Sequence, residues 1–188
     1  MRSLFLGLAL AGLLALPASA DPQRIQSTFA GSAYNRVSNE YTEVATFVEI
    51  YPKKKGNDIL AIEVDDRYWS ETYKAYRPRV LLLEKNRASE YIAAIDKYAE
   101  WAEIATRDGD MITKEIAKVK AKVGKHRFQM HSGNASHHYL MIDLCPLICT
   151  GEEVLTFDYQ NAMELRATLE EFRAGNLSVN PDLDSKYK

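Results

Sequence analysis

The segment of this sequence with the most evident chemistry is Cys145-Pro146-Leu147-Ile148-Cys149, which holds both cysteines of the chain. Two thiols four residues apart can close one small disulfide. Reduced, the same sulfurs are soft ligands for copper or zinc, or a thiol pair for redox exchange. All four histidines lie just upstream, between His126 and His138. If the run into Cys145 is a strand, alternation places His137, Met141 and Cys145 on one face. His131 then sits across a polar loop, Ser132 to Ser136. Cys145, Cys149, His131, His137 and Met141 are thus the candidate ligands for a copper or zinc ion. The first expectation is a structural disulfide with no cofactor, and the metal or thiol-redox site is the alternative. Asp143, a carboxylate on the same strand face, could bind a metal, pair with a lysine or face solvent.

The spacing Cys-Pro-x-Ile-Cys is similar to the copper-site motif of exported Sco-type copper chaperones. That resemblance covers five residues, and it implies Cys145 and Cys149 as sulfur ligands for copper.

Two further groups of residues could bind a partner. From Thr113 to His131 there are six Lys/Arg and one Glu. As a strand, this run lines Lys118, Lys120 and Lys122 along one face, with Lys125 and Arg127 beyond a turn. Such a stripe suits an anionic ligand or an acidic protein partner. Tyr68, Trp69, Tyr73 and Tyr76 crowd nine residues beside Arg67, Arg77 and Arg79. This is the composition of a binding hot spot, and also of cross-strand aromatic pairs. Trp69 and Tyr73 are the ligand-binding candidates there. The sequence holds no nucleophile elbow, His-Glu-x-x-His, phosphate-binding glycine loop or nucleotide fingerprint. No catalytic residue is assigned, and a non-enzymatic role is expected.

The elements that would position these residues follow a leader. Met1-Arg2-Ser3, an apolar run from Leu4 to Leu16 and Pro17-Ala18-Ser19-Ala20 form the three regions of a signal peptide, with cleavage expected before Asp21. The chain has 188 residues with 24 Lys+Arg against 26 Asp+Glu. Without Arg2 the balance is 23 against 26, a net charge of −3. The expected location is therefore periplasmic or secreted, where paired cysteines are favoured. No transmembrane span is expected after the leader.

Residues 21–40 read as a polar lead-in. Tyr41 to Tyr51 and Ile59 to Val64 read as strands. Arg67 to Arg77 reads as a strand with Trp69 and Tyr76 on opposite faces, ended by Pro78, and Val80 to Leu83 as a short strand. Ala88 to Ala105 is helical, with Asn86 as its cap and Gly109 as its end. Met111 to Val123 fits either a helix or a strand, and its lysine alternation favours a strand. Strands flank the Ser132–Ser136 loop, and Glu153 to Phe157 is another. Asp158 caps a second helix that Gly175 closes, and 176–188 is a polar tail. The fold class is α+β: antiparallel sheet against two amphipathic helices in one domain, 41–175.

Val80–Tyr98 and Val154–Phe172 also align without a gap at an offset of 74 residues, with five identities. This points to two pseudo-repeated units, 41–109 and 110–175, each of several strands followed by a helix, with each helix covering its own sheet. That order of elements resembles the Whirly and PC4-type single-strand-binding fold. For an exported chain, nucleic acid is not the expected partner. The function expected from the sequence is binding or interaction with an unknown protein or anionic ligand.

Overall fold

In the computed structural model, residues 23–70, 74–146, 148–149, 151 and 153–177 are described. The expected leader, Tyr73 and residues 178–188 lie outside them. The elements in chain order are β1 (Gln23–Gln26), β2 (Gly31–Asn35), β3 (Glu40–Val44), β4 (Thr46–Tyr51), β5 (Ile59–Ser70), β6 (Ala75–Glu84), α1 (Ala88–Asp108), β7 (Thr113–Lys120), β8 (Lys125–Asn134), β9 (His137–Cys145), β10 (Val154–Phe157) and α2 (Tyr159–Ala174). Two four-stranded antiparallel sheets run β1-β4-β5-β6 and β10-β9-β8-β7, and β2 pairs with β3 in a separate hairpin. With two helices, this is the α+β fold expected.

Period-2 alternation decides the faces of the second sheet. His126, Phe128, Met130 and Ser132 of β8 and His138, Leu140 and Ile142 of β9 are buried on its inner face. The recurring apolar residues of α1, Tyr91, Ile92, Ile95, Tyr98 and Ala102, are buried with them. Both helices pack on one another; α1 lies along β7, β8 and β9, and α2 along β9 and β10. The expectation that each helix covers the sheet preceding it is therefore corrected for α1, which follows the first sheet and packs on the second. Val48, Leu60, Ile62, Val64, Leu81 and Leu83 of the first sheet join the same apolar cluster. Sharing one core lets each sheet bury more than it could alone.

Several local expectations change. Residues 23–40 are not a loose lead-in: β1 pairs with β4, β2 with β3, and Phe29 enters the core edge-on against Phe157. Their polar composition hid this, because hairpin pairing needs backbone groups more than apolar side chains. At Gly31 the approach is so close that an added Cβ would lie 2.5 Å from Val64 Cγ1. Tyr41 to Tyr51 divides at Ala45 between β3 and β4. Pro78 does not end a strand but sits inside β6, facing the irregular register between Val64 and Tyr68, where a missing N–H breaks no ladder bond. Trp69 and Tyr76 are cross-strand partners on one face, not opposite faces, with rings 5.4 Å apart.

The ambiguous run resolves as a strand from Thr113 to Lys120, so Lys122 lies in the following turn. The expected Ser132–Ser136 loop is shorter, because β8 continues through Asn134. Asn86 does not cap α1; it lies in a 3₁₀ turn, and its N–H donates to Asn57 Oδ1 at 3.1 Å. Asp158 does cap α2, its Oδ1 accepting from the Asn161 N–H at 2.8 Å. Gly109 and Gly175 end the two helices in the left-handed conformation.

Candidate functional site

The β2–β3 hairpin reaches over the outer face of the second sheet and forms a cleft there. Tyr34 and Tyr41 are cross-strand partners with rings 5.1 Å apart. Tyr41 in turn stacks on Tyr139 of β9, at 4.0 Å and 29°. Beside this stack, β8 and β9 contribute His131, Asn134 and His137, the β2–β3 turn contributes Asn39, and the start of β3 contributes Glu40. The cleft encloses about 740 Å³.

Neighbouring groups fix the polar side chains of the cleft. The Tyr34 hydroxyl donates to Asn39 Oδ1 at 2.8 Å. His137 Nδ1 donates to Asn134 Oδ1 at 3.0 Å, which leaves its Nε2 as an acceptor. His131 Nδ1 shares a 2.8 Å hydrogen bond with Thr113 Oγ1. Burial, helped by the neighbouring phenols, raises the Tyr41 pKa, and burial followed by Asp158 raises that of Tyr139. Both remain neutral phenols near neutral pH. Flat apolar ring surface set among oriented donors and acceptors is the composition of a small-molecule site.

The cysteines lie at the other end of β9. Their Sγ atoms are 2.07 Å apart, a disulfide, with Cα atoms 4.5 Å apart. The turn between β7 and β8 packs against this loop. Gly124 there is left-handed, and an added Cβ would lie 2.0 Å from the Cys145 carbonyl oxygen. Closing so short a loop removes little chain entropy. The Cys145→Ala/Cys149→Ala double variant is expected to lose about 2 kcal/mol in urea unfolding, and the same variant under reducing conditions should unfold at an unchanged midpoint.

Asp143 is 1 % exposed and lies against the disulfide, its carboxylate within 4.8 Å of both sulfurs. It forms an ion pair with Arg127, its cross-strand partner. Asp143 Oδ1 has no hydrogen-bond partner among the described residues. In the disulfide state neither sulfur is a thiolate, so copper or zinc at this end would require the reduced form.

The structure does not bring the expected metal ligands together. His131 and His137 line the cleft, while Cys145 lies eight residues beyond His137, about 26 Å along an extended strand. Met141 sits between them on the outer face, paired with Gln129 and Thr156. The basic residues share that face near the disulfide. Lys118 pairs with Glu115 at 2.8 Å and Arg127 with Asp143, while Lys120 faces Lys125 across the ladder and Lys122 follows in the turn. Trp69 lies on the β5–β6 arm, away from the cleft lining.

The cleft tyrosines, Tyr34, Tyr41 and Tyr139, were not among the expected site residues. They come from hairpins about 100 residues apart, so no local spacing joins them. The one available signal was the strand alternation that puts Tyr139 beside His137.

The other two histidines face inward. His126 Nδ1 shares a 2.9 Å hydrogen bond with the Tyr91 hydroxyl, and burial pushes its pKa down to about 4. His138 is also pushed down, by burial first and then by His137, with a backbone interaction at Ala135 working the other way. No protein family, curated protein or solved structure was found to match this chain. The likenesses to the Sco motif and to the Whirly and PC4 order of elements therefore carry no further argument, and the site is read from its own geometry.

Proposed function

We propose that this chain is an exported, non-enzymatic binding protein whose cleft takes a neutral, hydroxyl-rich ring ligand of the saccharide type. The observation that carries this is the aromatic cluster of Tyr34, tilted on Tyr41, and Tyr41 stacked on Tyr139, set beside two oriented imidazoles and the side chains of Asn39, Asn134 and Glu40. Aromatic faces pack against the C–H faces of a sugar ring, while amide, carboxylate and imidazole groups bond its hydroxyls. Lysine and arginine are absent from the described lining, which favours a neutral ligand over an anionic one. Export is supported by the leader sequence and by a disulfide that an oxidising compartment would preserve. No helix among the described residues is long and apolar enough to cross a membrane.

A second reading, an anionic ligand or acidic protein partner on the basic stripe, is favoured by one observation. Lys120 and Lys125 are directly opposed across β7 and β8, a like-charge pairing that an anion would relieve. A glycan array probed with the mature protein separates the two. The cleft reading expects neutral oligosaccharides to bind and Tyr139→Ala to lower their signal at least tenfold, about 1.4 kcal/mol. Binding confined to sulfated glycans, lost in Lys120→Glu and kept in Tyr139→Ala, would replace it with the stripe.

A further inference from the structure

The disulfide at the end of β9 has two unlike sulfurs. Cys145 closes the strand and is buried, whereas Cys149 is half-buried in the loop that follows. Ile148, just before it, is 73 % exposed, and Gly151 beyond it is exposed as well. An incoming group therefore meets Cys149 first. The cross-strand partners on β8 are cationic: Lys125 stands opposite Cys145, and Arg127 opposite Asp143. Attack at Cys149 makes Cys145 the leaving sulfur. A thiolate forming there lies beside these cations, which favours its departure.

Asp143 offers the reduced state a hydrogen bond that the disulfide state lacks. Its Oδ2 is held by Arg127, and its Oδ1 is buried with no hydrogen-bond partner among the described residues. A carboxylate oxygen lies within 4.8 Å of both sulfurs. In the disulfide neither sulfur carries a hydrogen, so neither can donate. After reduction Cys145 becomes a thiol, a weak donor on the same strand face as Oδ1. Both groups are already inside the protein, so this bond requires no access from solvent. A buried acceptor left unpaired costs free energy, and pairing it only in the reduced state shifts the equilibrium toward reduction.

We propose that Cys145–Cys149 is an exchangeable two-electron couple that oxidises a dithiol, with Asp143 as the positioning residue that holds the reduced Cys145 thiol. One thiolate of the dithiol attacks Cys149 Sγ. The S–S bond breaks and its electron pair leaves on Cys145, which takes a proton from water and donates it in a hydrogen bond to Asp143 Oδ1. The second thiolate of the dithiol then attacks the reductant's own sulfur in the mixed disulfide, and Cys149 leaves and is protonated in turn. The dithiol loses two electrons and becomes a disulfide, while the protein gains two thiols. The two protons taken up equal those the dithiol released. This couple is independent of the tyrosine cleft, which lies at the other end of β9, so either can fail without the other.

The test treats the full-length mature protein with dithiothreitol under anaerobic conditions and counts thiols by alkylation and mass. Without denaturant, the reduction rate should rise in proportion to dithiothreitol concentration and be unchanged by low urea. A rate that levels off at the rate of global unfolding would overturn the proposal, because the disulfide would then be reached only in the unfolded chain. The Cys149 thiol of Cys145→Ser should form a mixed disulfide with oxidised glutathione at least tenfold faster than the Cys145 thiol of Cys149→Ser. Equal rates, or the reverse order, would also overturn it. In mixtures of reduced and oxidised dithiothreitol, Asp143→Leu should need at least a tenfold higher reduced-to-oxidised ratio for half-reduction. Because that variant strands Arg127, the Arg127→Met/Asp143→Leu double variant supplies a second measurement and should show the same shift. Asp143→Asn, which keeps a carbonyl acceptor, should stay within threefold of the wild type. An unchanged midpoint in both leucine variants, or an equally large shift in Asp143→Asn, would overturn the role of Asp143.

Discussion

Arg127→Met is expected to destabilise the protein by about 3–5 kcal/mol at pH 7. Its partner Asp143 is almost completely buried against the Cys145–Cys149 disulfide and has one oxygen already without a hydrogen bond. Removing the guanidinium leaves a carboxylate inside the protein with no cation beside it. Water solvates that charge in the unfolded chain, and nothing replaces the lost solvation in the folded one. Replacing both partners removes the stranded charge. The Arg127→Met/Asp143→Leu double variant should therefore recover most of the loss, with urea unfolding of the wild type, Arg127→Met and the double variant as the measurement. If the single and double variants lose equal amounts, the pair is not the source of the effect, and the packing of the Arg127 stem against β7 and β9 is.

Acid is expected to weaken the fold through His126. Its folded pKa is lowered to about 4 from an ordinary 6.5, because the ring is buried between α1 and β8. Above pH 6.5 the ring is neutral in both the folded and unfolded states, and its contribution is complete. As pH falls below 6.5 the unfolded chain takes up a proton that the folded chain refuses, so stability drops until the folded pKa is reached. The expected loss is about 3 kcal/mol between pH 7 and pH 4. His138 is shifted in the same direction and adds to the trend. His126→Gln keeps a hydrogen-bonding group for the Tyr91 hydroxyl but cannot titrate. Its stability should fall by about 3 kcal/mol less than the wild type over the same pH interval. An equal fall in both proteins would assign the acid sensitivity elsewhere.

What the sequence could show depended on whether a feature is local. The apolar spacing of Tyr91, Ile95, Tyr98 and Ala102 is carried by consecutive turns of one helix, so α1 was legible with its Gly109 end. The side-chain cap at Asp158 was equally so. The disulfide followed from two cysteines only four residues apart. Alternation from His137 to Cys145 placed His138, Leu140 and Ile142 on one face, and the buried face of β9 is that one. The face that a strand shares does not bring its ends together, because each residue adds about 3.3 Å along it. His137 and Cys145 share a face and are too distant to share an ion.

The first strands and the cleft were not legible, for a different physical reason. β1 and β2 are recruited by backbone pairing with β4 and β3, and their composition gives no apolar period to read. Tyr41 meets Tyr139 only because the β2–β3 hairpin folds over the second sheet, and Gly31 allows that approach by lacking a Cβ at Val64. Pro78 is tolerated inside β6 because the facing strand is irregular there, a tertiary fact that no local rule contains. Asp143 is neither paired with a lysine nor facing solvent; it is buried and paired with Arg127, its cross-strand neighbour, through a register that the sequence alone does not state.

The reading of this chain as a saccharide-binding protein rests on the tyrosine cleft, and NMR titration with neutral trisaccharides addresses it directly. Maltotriose, cellotriose and chitotriose would be added to the mature protein while the ring resonances of Tyr34, Tyr41 and Tyr139 and the Nε2 signals of His131 and His137 are followed. The expected result is saturable shifts at these residues with at least one trisaccharide, weakened at least tenfold in Tyr139→Ala. Saturable binding that leaves the cleft resonances unmoved, or no binding by any of the three, would contradict it.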